Sequence, residues 1–495
     1  MIEVRHSSNR KIIKRIILRG KLILDTPTCL GCGDADSPID IALQRDSISN
    51  YALLTGSSIA GALRNYLREY KKGYNLKDIR DDLATKLFGD LFAYDNEKDF
   101  SEPRRIELRE KDNQSLLVID DAVSKNPIKI EIRDAVKIDS ITRTAEDKSK
   151  YDLELLEAGT EFNLNFELII EELTDENELI EALIITLQGL EQGKIHLGIK
   201  KNRGFGRCHV QEWQIWQFNL QDSKQRIKWL KFPHWEPGFL DNHPIHNNIA
   251  NALGVIISDE DDKRKHLTIT AKFTLASPLL IRSGQASTDK APDVVHLKSQ
   301  RNGEPKSILS GTSLAGVLRH RGERIINTLQ RETKQIENII DEIFGVDFSK
   351  NKTKIAKASR LIVDEVEIEN TIDLVQNRIA IDRFTGGALH GTLFDEQPIF
   401  GNDKTSLEIK IKLRQPKDYE IGLLLLLLKD LWTGDLPVGG TSSIGRGRLQ
   451  GREATIKFDN KTWTIIQNSS DESLTIDNPE ELEKFVFALR QEVKA

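Results

Sequence analysis

The chain has 495 residues, which is enough for two to four domains. With 38% apolar and 30% charged residues, its composition is typical of a soluble globular protein and excludes a disordered chain. The formal net charge of −6 excludes a generally basic nucleic-acid coat, although a local basic groove needs only clustered cations. Three cysteines provide no disulfide framework, which is consistent with a reducing cytoplasm.

The pattern of apolar residues predicts no membrane association. Residues 1–21 mix charged and aliphatic residues and lack the apolar core of a signal peptide. The longest apolar run, residues 423–428, is too short to span a bilayer and predicts a buried helix.

Hydrophobic periodicity predicts an alternation of strands and helices in the first half. Residues 11–24 alternate basic and aliphatic residues, which predicts a strand with one solvent-exposed, positive face. The other predicted elements are an acidic loop over 26–40, helices over 55–72, 79–90 and 176–192, strands over 115–123, 129–139 and 161–170, a projecting polar hairpin over 139–152, and a basic glycine loop over 198–207.

One string occurs twice, as TGSSIAGALR at 55–64 and SGTSLAGVLR at 310–319. Its hydroxyl residues precede an apolar helical pattern and are typical helix N-caps, and the glycine before them allows close approach of a ligand. Free N–H groups and the helix dipole at such a start suit an anion. A phosphate contact and an ordinary capped, closely packed helix both fit the string. The phosphate contact would involve Gly56, Ser57, Ser58, Gly311, Thr312 and Ser313.

The second half repeats the first in the same order, which indicates two copies of one domain. The repeated string recurs at an offset of 310 − 55 = 255, and a Leu-rich helix over 419–431 corresponds to 178–190. The offsets drift because the loops differ in length. The predicted divisions are a first domain over 1–212, a Trp-rich connection over 213–265, a second domain over 266–451 and a tail over 452–495 that ends in a helix over 478–493.

Each copy combines several strands with two helices. This combination predicts an α+β fold, with two tandem ferredoxin-like, RRM-like domains and projecting β-hairpins. Many RNA-binding domains share this scaffold, so the fold alone leaves the function open.

The motifs of the chain resemble those of the CRISPR-associated RAMP superfamily. The resemblance depends on the repeated string, the segment RDAVKIDSITRTAEDKSKYDLELLEAGTEF at 133–162 and the glycine-arginine loops at 204–207 and 445–448. More narrowly, the chain is similar to the backbone subunit of type III effector complexes, as two fused copies of the kind found in type III-D-like systems.

The resemblance implies a prokaryotic cytoplasmic subunit that binds CRISPR RNA and lets it pair with complementary target RNA. Each hairpin would act as a thumb that displaces a nucleotide, and an aspartate in the preceding loop would support cleavage with Mg²⁺ or Mn²⁺ and no organic cofactor. Asp36 matches that position in the first copy. In the second copy we favour Asp293. The less favoured candidates are Asp34 in the first copy and Asp289 in the second. The implied partners are the large polymerase-like subunit, other backbone subunits and the subunit that binds the 5′ end of the guide.

Clustered cations near the predicted loops and hairpins can follow a phosphate backbone, although each loop taken alone equally fits a solvated turn. With the string residues, the predicted RNA contacts are Arg64, Lys137, Arg143, Lys200, Lys201, Arg203, Arg207, Arg319, Arg383, Arg446 and Arg448. Phe384 in the second hairpin either stacks on a base or packs internally, and we favour packing.

Metal and histidine chemistry are the remaining candidates. Cys29 and Cys32 form a single C-x₂-C pair with Cys208 and His209 as the only further ligands, so packed thiols are favoured over zinc. The histidines show no pairing with a nucleophile, which disfavours a metal-free guide-processing nuclease. Three hypotheses remain: a cleaving backbone subunit, a guide-binding scaffold whose neighbours cut, and an RNA-binding protein outside CRISPR immunity.

Overall fold

The computed structural model describes residues 10–32, 39–90, 99–110, 112–139, 142–236, 238–255, 262–283, 292–301, 303–329, 333–347, 355–467 and 473–494. In the first half the strands are β1 (Ile12–Leu24), β2 (Leu53–Leu54), β3 (Leu117–Ile119), β4 (Ala122–Val123), β5 (Ile130–Ala135), β6 (Tyr151–Leu156), β7 (Glu161–Glu171) and β8 (Cys208–Asn219). The helices of this half are α1 (Gly56–Lys72), α2 (Leu83–Phe88), α3 (Glu102–Arg109), α4 (Glu176–Glu191), α5 (Ser223–Leu230) and α6 (Ile249–Leu253).

In the second half the strands are β9 (His266–Leu275), β10 (Arg282–Ser283), β11 (Val294–His296), β12 (Lys298–Arg301), β13 (Glu304–Leu309), β14 (Leu361–Val363), β15 (Val366–Glu369), β16 (Ile372–Asp373), β17 (Gln376–Arg378), β18 (Phe394–Gln397), β19 (Ile399–Phe400), β20 (Ser406–Arg414), β21 (Leu449–Phe458), β22 (Lys461–Ile466) and β23 (Thr475–Ile476). The helices of this half are α7 (Gly311–Leu329), α8 (Thr333–Phe344), α9 (Asp418–Trp432) and α10 (Pro479–Lys494).

Each half contains an antiparallel ferredoxin-like sheet, which confirms the predicted fold class. The first sheet has the order β3-β7-β1-β8, and the equivalent strands of the second half have the order β14-β20-β9-β21 within a nine-stranded sheet, in which β15 also pairs with β20. Strand β7 alternates buried and half-buried residues along its whole length, because one face packs under α1 and α4. The predicted helices over 176–192 and 419–431 correspond to α4 and α9.

The C-terminal segment is an integral part of the second domain. Strand β21 continues past residue 451 and pairs with both β9 and β22. Helix α10 packs on α9 so closely that a Cβ on Gly422 would collide with the backbone at Phe485. The segment predicted as a tail over 452–495 therefore completes the sheet and the helical layer, as far as its described residues show.

The outer face of the first sheet is covered, contrary to the predicted solvent-exposed face of β1. Arg19 is 2% exposed, donates hydrogen bonds of 2.7 Å to the carbonyls of Gly238 and Pro233, and lies against the rings of Trp216 and Phe232. Burial lowers the pKa of the Arg19 guanidinium. We call residues 220–245 the aromatic cover. The predicted boundary at residue 213 falls inside β8, so the connection begins only after that strand.

The two domains are joined by a buried, charged interface. Arg133 on β5 contacts both carboxylate oxygens of Glu365, at 2.6 and 3.2 Å, and Arg301 also pairs with Glu365. Burial opposes the charge on Glu365, but the two arginines hold the pKa of its carboxyl below the usual range. Ser299 donates a hydrogen bond of 2.7 Å to Glu131 at the same interface. Because buried charges need good partners, this network fixes how the two domains meet.

Candidate RNA interface and acidic loops

The chain carries two projecting hairpins of the same form. We call residues 136–150 the first thumb hairpin and residues 379–393 the second, at an offset of 379 − 136 = 243. Asp139 accepts a 2.7 Å hydrogen bond from the Thr142 N–H, and Asp382 accepts 2.8 Å bonds from the Phe384 and Thr385 N–H groups. Such Asx turns fix the hairpin tips locally, so that each turn forms without support from the core.

The second thumb hairpin has an aromatic residue at its tip. Phe384 is 99% exposed, so the prediction that it packs internally is wrong. The side chains of Arg143 and Arg383 are exposed at the two hairpins, where they were predicted. The counterpart of Phe384 in the first hairpin is residue 384 − 243 = 141, which lies outside the described residues.

The first acidic loop is closed at its base. Asp34 and Asp36 lie outside the described residues, but the two ends of the loop are described. The Cys32 N–H donates to the Ala42 carbonyl at 3.0 Å, and Asp40 accepts a 2.9 Å bond from the Asp152 N–H at the start of β6. The loop therefore leaves the fold beside the base of the first thumb hairpin.

A small acidic group marks that base. A hydrogen bond with Asp134, and then burial, raise the pKa of Asp152, and the charge of Asp40 adds to the effect. Among the described residues no group of three or more His, Cys, Asp or Glu side chains is placed to hold a metal ion. Mg²⁺ retains several of its waters and can be bound through one or two carboxylates, so a single loop aspartate is compatible with its chemistry.

The structure aligns the two acidic loops. Asp293 accepts a 3.0 Å bond from the Asp395 N–H, which is the contact that Asp40 makes with Asp152. The matched aspartates are 293 − 40 = 253 residues apart, and the matched partners are 395 − 152 = 243 apart, as in the hairpins. Asp293 therefore corresponds in position to Asp40. Before the loop the equivalent residues Leu30 and Ile281 are 281 − 30 = 251 apart, so the second loop is two residues longer. Asp289, like Asp36, lies outside the described residues.

The repeated strings begin two equivalent helices, α1 and α7. Each helix starts at its glycine, so the caps are Thr55 and Ser310 rather than the hydroxyl residues that follow it, which corrects the predicted caps. The Ser58 N–H lies 3.3 Å from the Thr55 hydroxyl, and the Ser313 N–H lies 3.3 Å from the Ser310 hydroxyl. The hydroxyl groups also bond to one another in the same pattern in both copies.

The two helix starts differ in what covers them. In the first copy Ser57, Ser58 and Gly61 are exposed beside a cavity of about 320 Å³. In the second copy the loop of the first domain covers the helix start, and a Cβ on Gly311 would collide with the carbonyls of Arg203 and Val363. The string of the second copy thus forms a domain contact, while the first remains open.

The two arginines of the strings are used inside the fold. Arg64 donates to the Gly89 carbonyl at 2.8 Å, and Arg319 donates to the Gly345 carbonyl at 2.7 Å and pairs with Asp341 at 2.9 Å. Each therefore ties its helix to the turn after the next helix. Arg319 would give up these bonds to reach a phosphate, whereas Arg64 lines the cavity at the start of α1 and its Nη2 has no hydrogen-bond partner among the described residues.

The first glycine loop, residues 198–207, is mostly committed to protein contacts. Lys200 lies over the Tyr151 ring and donates to its hydroxyl, and Arg207 pairs with Asp364 of the second domain. Burial and then the charge of Arg319 lower the pKa of Arg203. Lys201 keeps an exposed side chain.

The second glycine loop, residues 439–448, contains one buried and one exposed arginine. Arg446 is 3% exposed and donates a 2.7 Å hydrogen bond to Glu396. The Arg448 side chain is exposed, with no ion pair to any described residue. Lys137 of the first thumb hairpin pairs with Glu146 at 3.0 Å and Asp347 at 2.9 Å.

The cysteines are packed thiols where they are buried. Burial raises the pKa of Cys29 to about 11 and also raises that of Cys208. Cys32 is exposed. His209 Nδ1 forms a 2.7 Å hydrogen bond with Asp25 Oδ1. The described residues thus provide no zinc cluster.

Sequence reasoning missed the interface group of Arg133, Glu365 and Arg301. A signal was present, because charged residues of both signs stand on or beside strands: Arg133 on β5, Arg301 on β12 and Glu365 just before β15. Which of these charges meet depends on how two copies dock, and periodicity within one copy carries no information about that.

Two fused ferredoxin-like domains, each with a projecting hairpin beside an acidic loop, define a tandem RRM-like protein. A family model described as RAMPs, the RAMP superfamily, matches residues 21–209 and 272–450. The chain therefore belongs to the RAMP superfamily, with two tandem RAMP domains. Membership implies a CRISPR-associated RNA-binding subunit, which sets aside a role outside CRISPR immunity. No curated protein matches the chain significantly. No described helix combines the length and apolar composition that crossing a bilayer demands.

Proposed function

We propose that this chain is a two-copy backbone subunit of a type III CRISPR effector complex, which holds a CRISPR RNA while it pairs with complementary target RNA. The observation that carries the proposal is the pair of matched hairpins, each beside an acidic loop, in two domains locked together through Glu365. A fixed distance between two equivalent sites suits a product pattern with regular spacing. Its further partners would be the large polymerase-like subunit, other backbone subunits and the 5′-end-binding subunit.

The exposed cations are the best supported RNA contacts. Arg143, Lys201, Arg383 and Arg448 present exposed side chains, whereas Arg446 is buried in an ion pair. Exposed arginine and lysine side chains neutralise phosphates without reading the bases, which suits a subunit that accepts guides of any sequence. The exposed string at Ser57 and Ser58 can add N–H and hydroxyl donors for one phosphate.

Phe384 extends this proposal to the displaced nucleotide. An exposed aromatic ring on a rigid turn can stack on a base and separate it from its neighbour. A base step opened in this way bends the target strand, and bending is what allows a 2′-OH to reach the in-line position for attack on the next phosphate.

For cleavage we propose Asp36 in the first copy and Asp289 in the second. The family resemblance supports Asp36. In the second copy Asp293 accepts the Asp395 N–H at the loop base, as Asp40 accepts the Asp152 N–H in the first copy, which leaves Asp289 as the other aspartate of that loop. A bound Mg²⁺ or Mn²⁺ would offset charge on the scissile phosphate. The aspartate would orient that ion, and the hairpin would orient the strand.

The alternative is a guide-binding scaffold without cleavage of its own. It requires only the exposed cations and the two thumb hairpins, and no metal site on this chain. In that case the acidic loops are turns, and neighbouring subunits cut the target.

The test uses the effector complex purified through a tag on this chain, with an end-labelled target RNA, Mg²⁺, and EDTA as the metal-free control. We expect Asp36→Asn and Asp289→Asn each to remove one cleavage position while leaving target binding unchanged. Asp293→Asn should keep the cleavage pattern. Asp147→Asn, an exposed aspartate of the first thumb hairpin, is the matched control. Unchanged cleavage by the double variant Asp36→Asn, Asp289→Asn would reject the catalytic proposal. The guide-binding scaffold would then be the remaining function.

A further inference from the structure

Three basic side chains lie together at one end of the second sheet. In β20 the odd-numbered residues are buried and the even-numbered residues point away from the core, and the latter include Lys412 and Arg414. Arg414 pairs across the strands with His266 of β9, so the side chains of all three share one face. His266 Nδ1 is buried and forms no hydrogen bond with a described residue. The sheet therefore ends in a half-buried basic group.

The first domain packs over this end of the sheet. Gln415, next to Arg414, donates a 2.8 Å hydrogen bond to the Tyr74 carbonyl. The Arg414 guanidinium lies 5.4 Å from the centre of the Tyr74 ring. Both contacts come from the turn that follows α1. The basic group therefore lies in the junction between the two domains rather than on an open surface.

A histidine of the first domain joins the group. His196 forms an antiparallel bridge with Arg207, and Arg207 pairs with Asp364 of the second domain. The Asp364 N–H in turn donates to the Lys410 carbonyl at 3.2 Å, two residues from Lys412. We call the following four side chains the basic junction: His196, His266, Lys412 and Arg414.

The basic junction lacks the negative charge that would balance it. None of its side chains forms an ion pair with a described residue. Burial, followed by the charges of neighbouring cations, lowers the pKa of Lys412 to about 8, that of His266 to about 4 and that of His196 to about 3. The nearby acids Asp262 and Asp364 are already paired with arginines. Buried cations without partners are costly, so an added anion would stabilise the junction.

The junction can be reached from solvent. Lys194 and Lys201 are exposed at its border. The charge of Lys194 contributes to the lowered pKa of Lys412. Burial, and then the charge of Arg414, lower the pKa of Lys201, and Glu69 offsets part of this effect. These exposed lysines add to the positive charge that attracts an anion.

We propose that the basic junction binds a small phosphate-bearing anion, either inorganic phosphate or the phosphate chain of a free nucleotide, and that this anion holds the two domains together. An arginine presents paired N–H groups to two phosphate oxygens, a lysine ammonium supplies three donors, and each imidazole adds one. A compact anion suits a site between two docked domains, whereas an RNA strand needs an open path for its flanking nucleotides. The inference stands apart from the proposed RNA binding and cleavage, since it uses neither the acidic loops nor the thumb hairpins.

The test is isothermal titration calorimetry of the purified chain with phosphate, pyrophosphate and magnesium-free ATP, at constant ionic strength because salt screens such contacts. Lys412→Met and Arg414→Gln should each bind at least about tenfold more weakly, since each removes a charge-assisted hydrogen bond. Lys272→Met, at an exposed lysine of β9 that pairs with Glu453, is the matched control and should keep the wild-type affinity. Tighter binding of ATP than of phosphate would identify a nucleotide as the ligand, and equal binding would identify the phosphate group alone.

Thermal unfolding separates the loss of a ligand from misfolding. Phosphate should raise the melting temperature of the wild-type chain and of Lys272→Met, because it binds the folded state, but not that of Lys412→Met. Without phosphate, Lys412→Met should melt at the wild-type temperature or above it, because it removes an unbalanced charge.

Three results would overturn the proposal. The first is a wild-type chain that binds none of the three anions at concentrations up to about 10 mM. The second is wild-type affinity in both Lys412→Met and Arg414→Gln. The third is loss of co-purifying CRISPR RNA from these variants, which would assign the two cations to the RNA; we expect its amount to be unchanged.

Discussion

Alanine substitutions at the equivalent glycines of the two loops, Gly204 and Gly445, test the contact between the two domains. Gly204 and Gly445 have nearly the same left-handed backbone, at φ 89° and 84°. Alanine in that conformation costs about 1–2 kcal/mol at either site. Only at Gly204 would the new Cβ also collide with the backbone of Glu365, and such overpacking adds about 1–3 kcal/mol.

We therefore expect Gly204→Ala to lower the free energy of unfolding by about 2–5 kcal/mol and Gly445→Ala by only about 1–2 kcal/mol. Urea titrations of dilute protein, followed by far-UV circular dichroism, measure both changes. The difference between the two variants is the part caused by domain contact, because the cost of the backbone conformation cancels. Equal losses would show that the loop does not resist a methyl group there and would refute the docked interface.

Three further predictions concern single side chains. Glu365→Gln removes the buried carboxylate that Arg133 and Arg301 share and leaves Arg133 with Glu131 alone, so it should cost up to about 3–5 kcal/mol in urea titrations, whereas Glu304→Gln, in an exposed pair, should leave the unfolding curve unchanged. Burial lowers the pKa of His296 from 6.5 to about 4, so the unfolded chain binds a proton that the folded chain does not. This part of the stability is complete above pH 6.5 and is lost by up to about 3 kcal/mol as the pH falls to 4; His296→Gln should reduce that dependence in titrations at a series of pH values. Phe384→Ser should leave unfolding unchanged, because the ring is 99% exposed, and should weaken binding of target RNA to the complex in filter-binding assays; an unchanged affinity would contradict its proposed stacking.

The elements with strong periodicity were predictable from the sequence. The helix over 176–192 and the strand over 11–24 differ from α4 and β1 by a residue at one or both ends. The duplication was predictable because order is retained while loop lengths change. The equivalence of Asp293 with Asp40 was not predictable, because it depends on the backbone N–H from which each carboxylate accepts a hydrogen bond.

The errors in the sequence analysis share a physical cause. The charged face of β1 looked solvent-exposed because Arg15 and Arg19 alternate with aliphatic residues, yet Trp229 lies over Arg15 and Phe232 over Arg19. Phe384 looked like a packed residue because aromatic side chains are usually buried. In both cases the local pattern predicted the exposure that such side chains usually have. The actual exposure depends on which distant segments pack against them.

The aromatic cover has a consequence for how the first domain can meet RNA. On an RRM-like scaffold the flat sheet is the natural platform on which bases lie. Here Trp216 and His243 already stack on each other at 4.3 Å over that platform. We therefore expect RNA to contact this domain through its sugars and phosphates rather than through bases stacked on the sheet. Binding by the first domain would then be independent of base sequence, because the connecting segment covers the surface on which bases would be read.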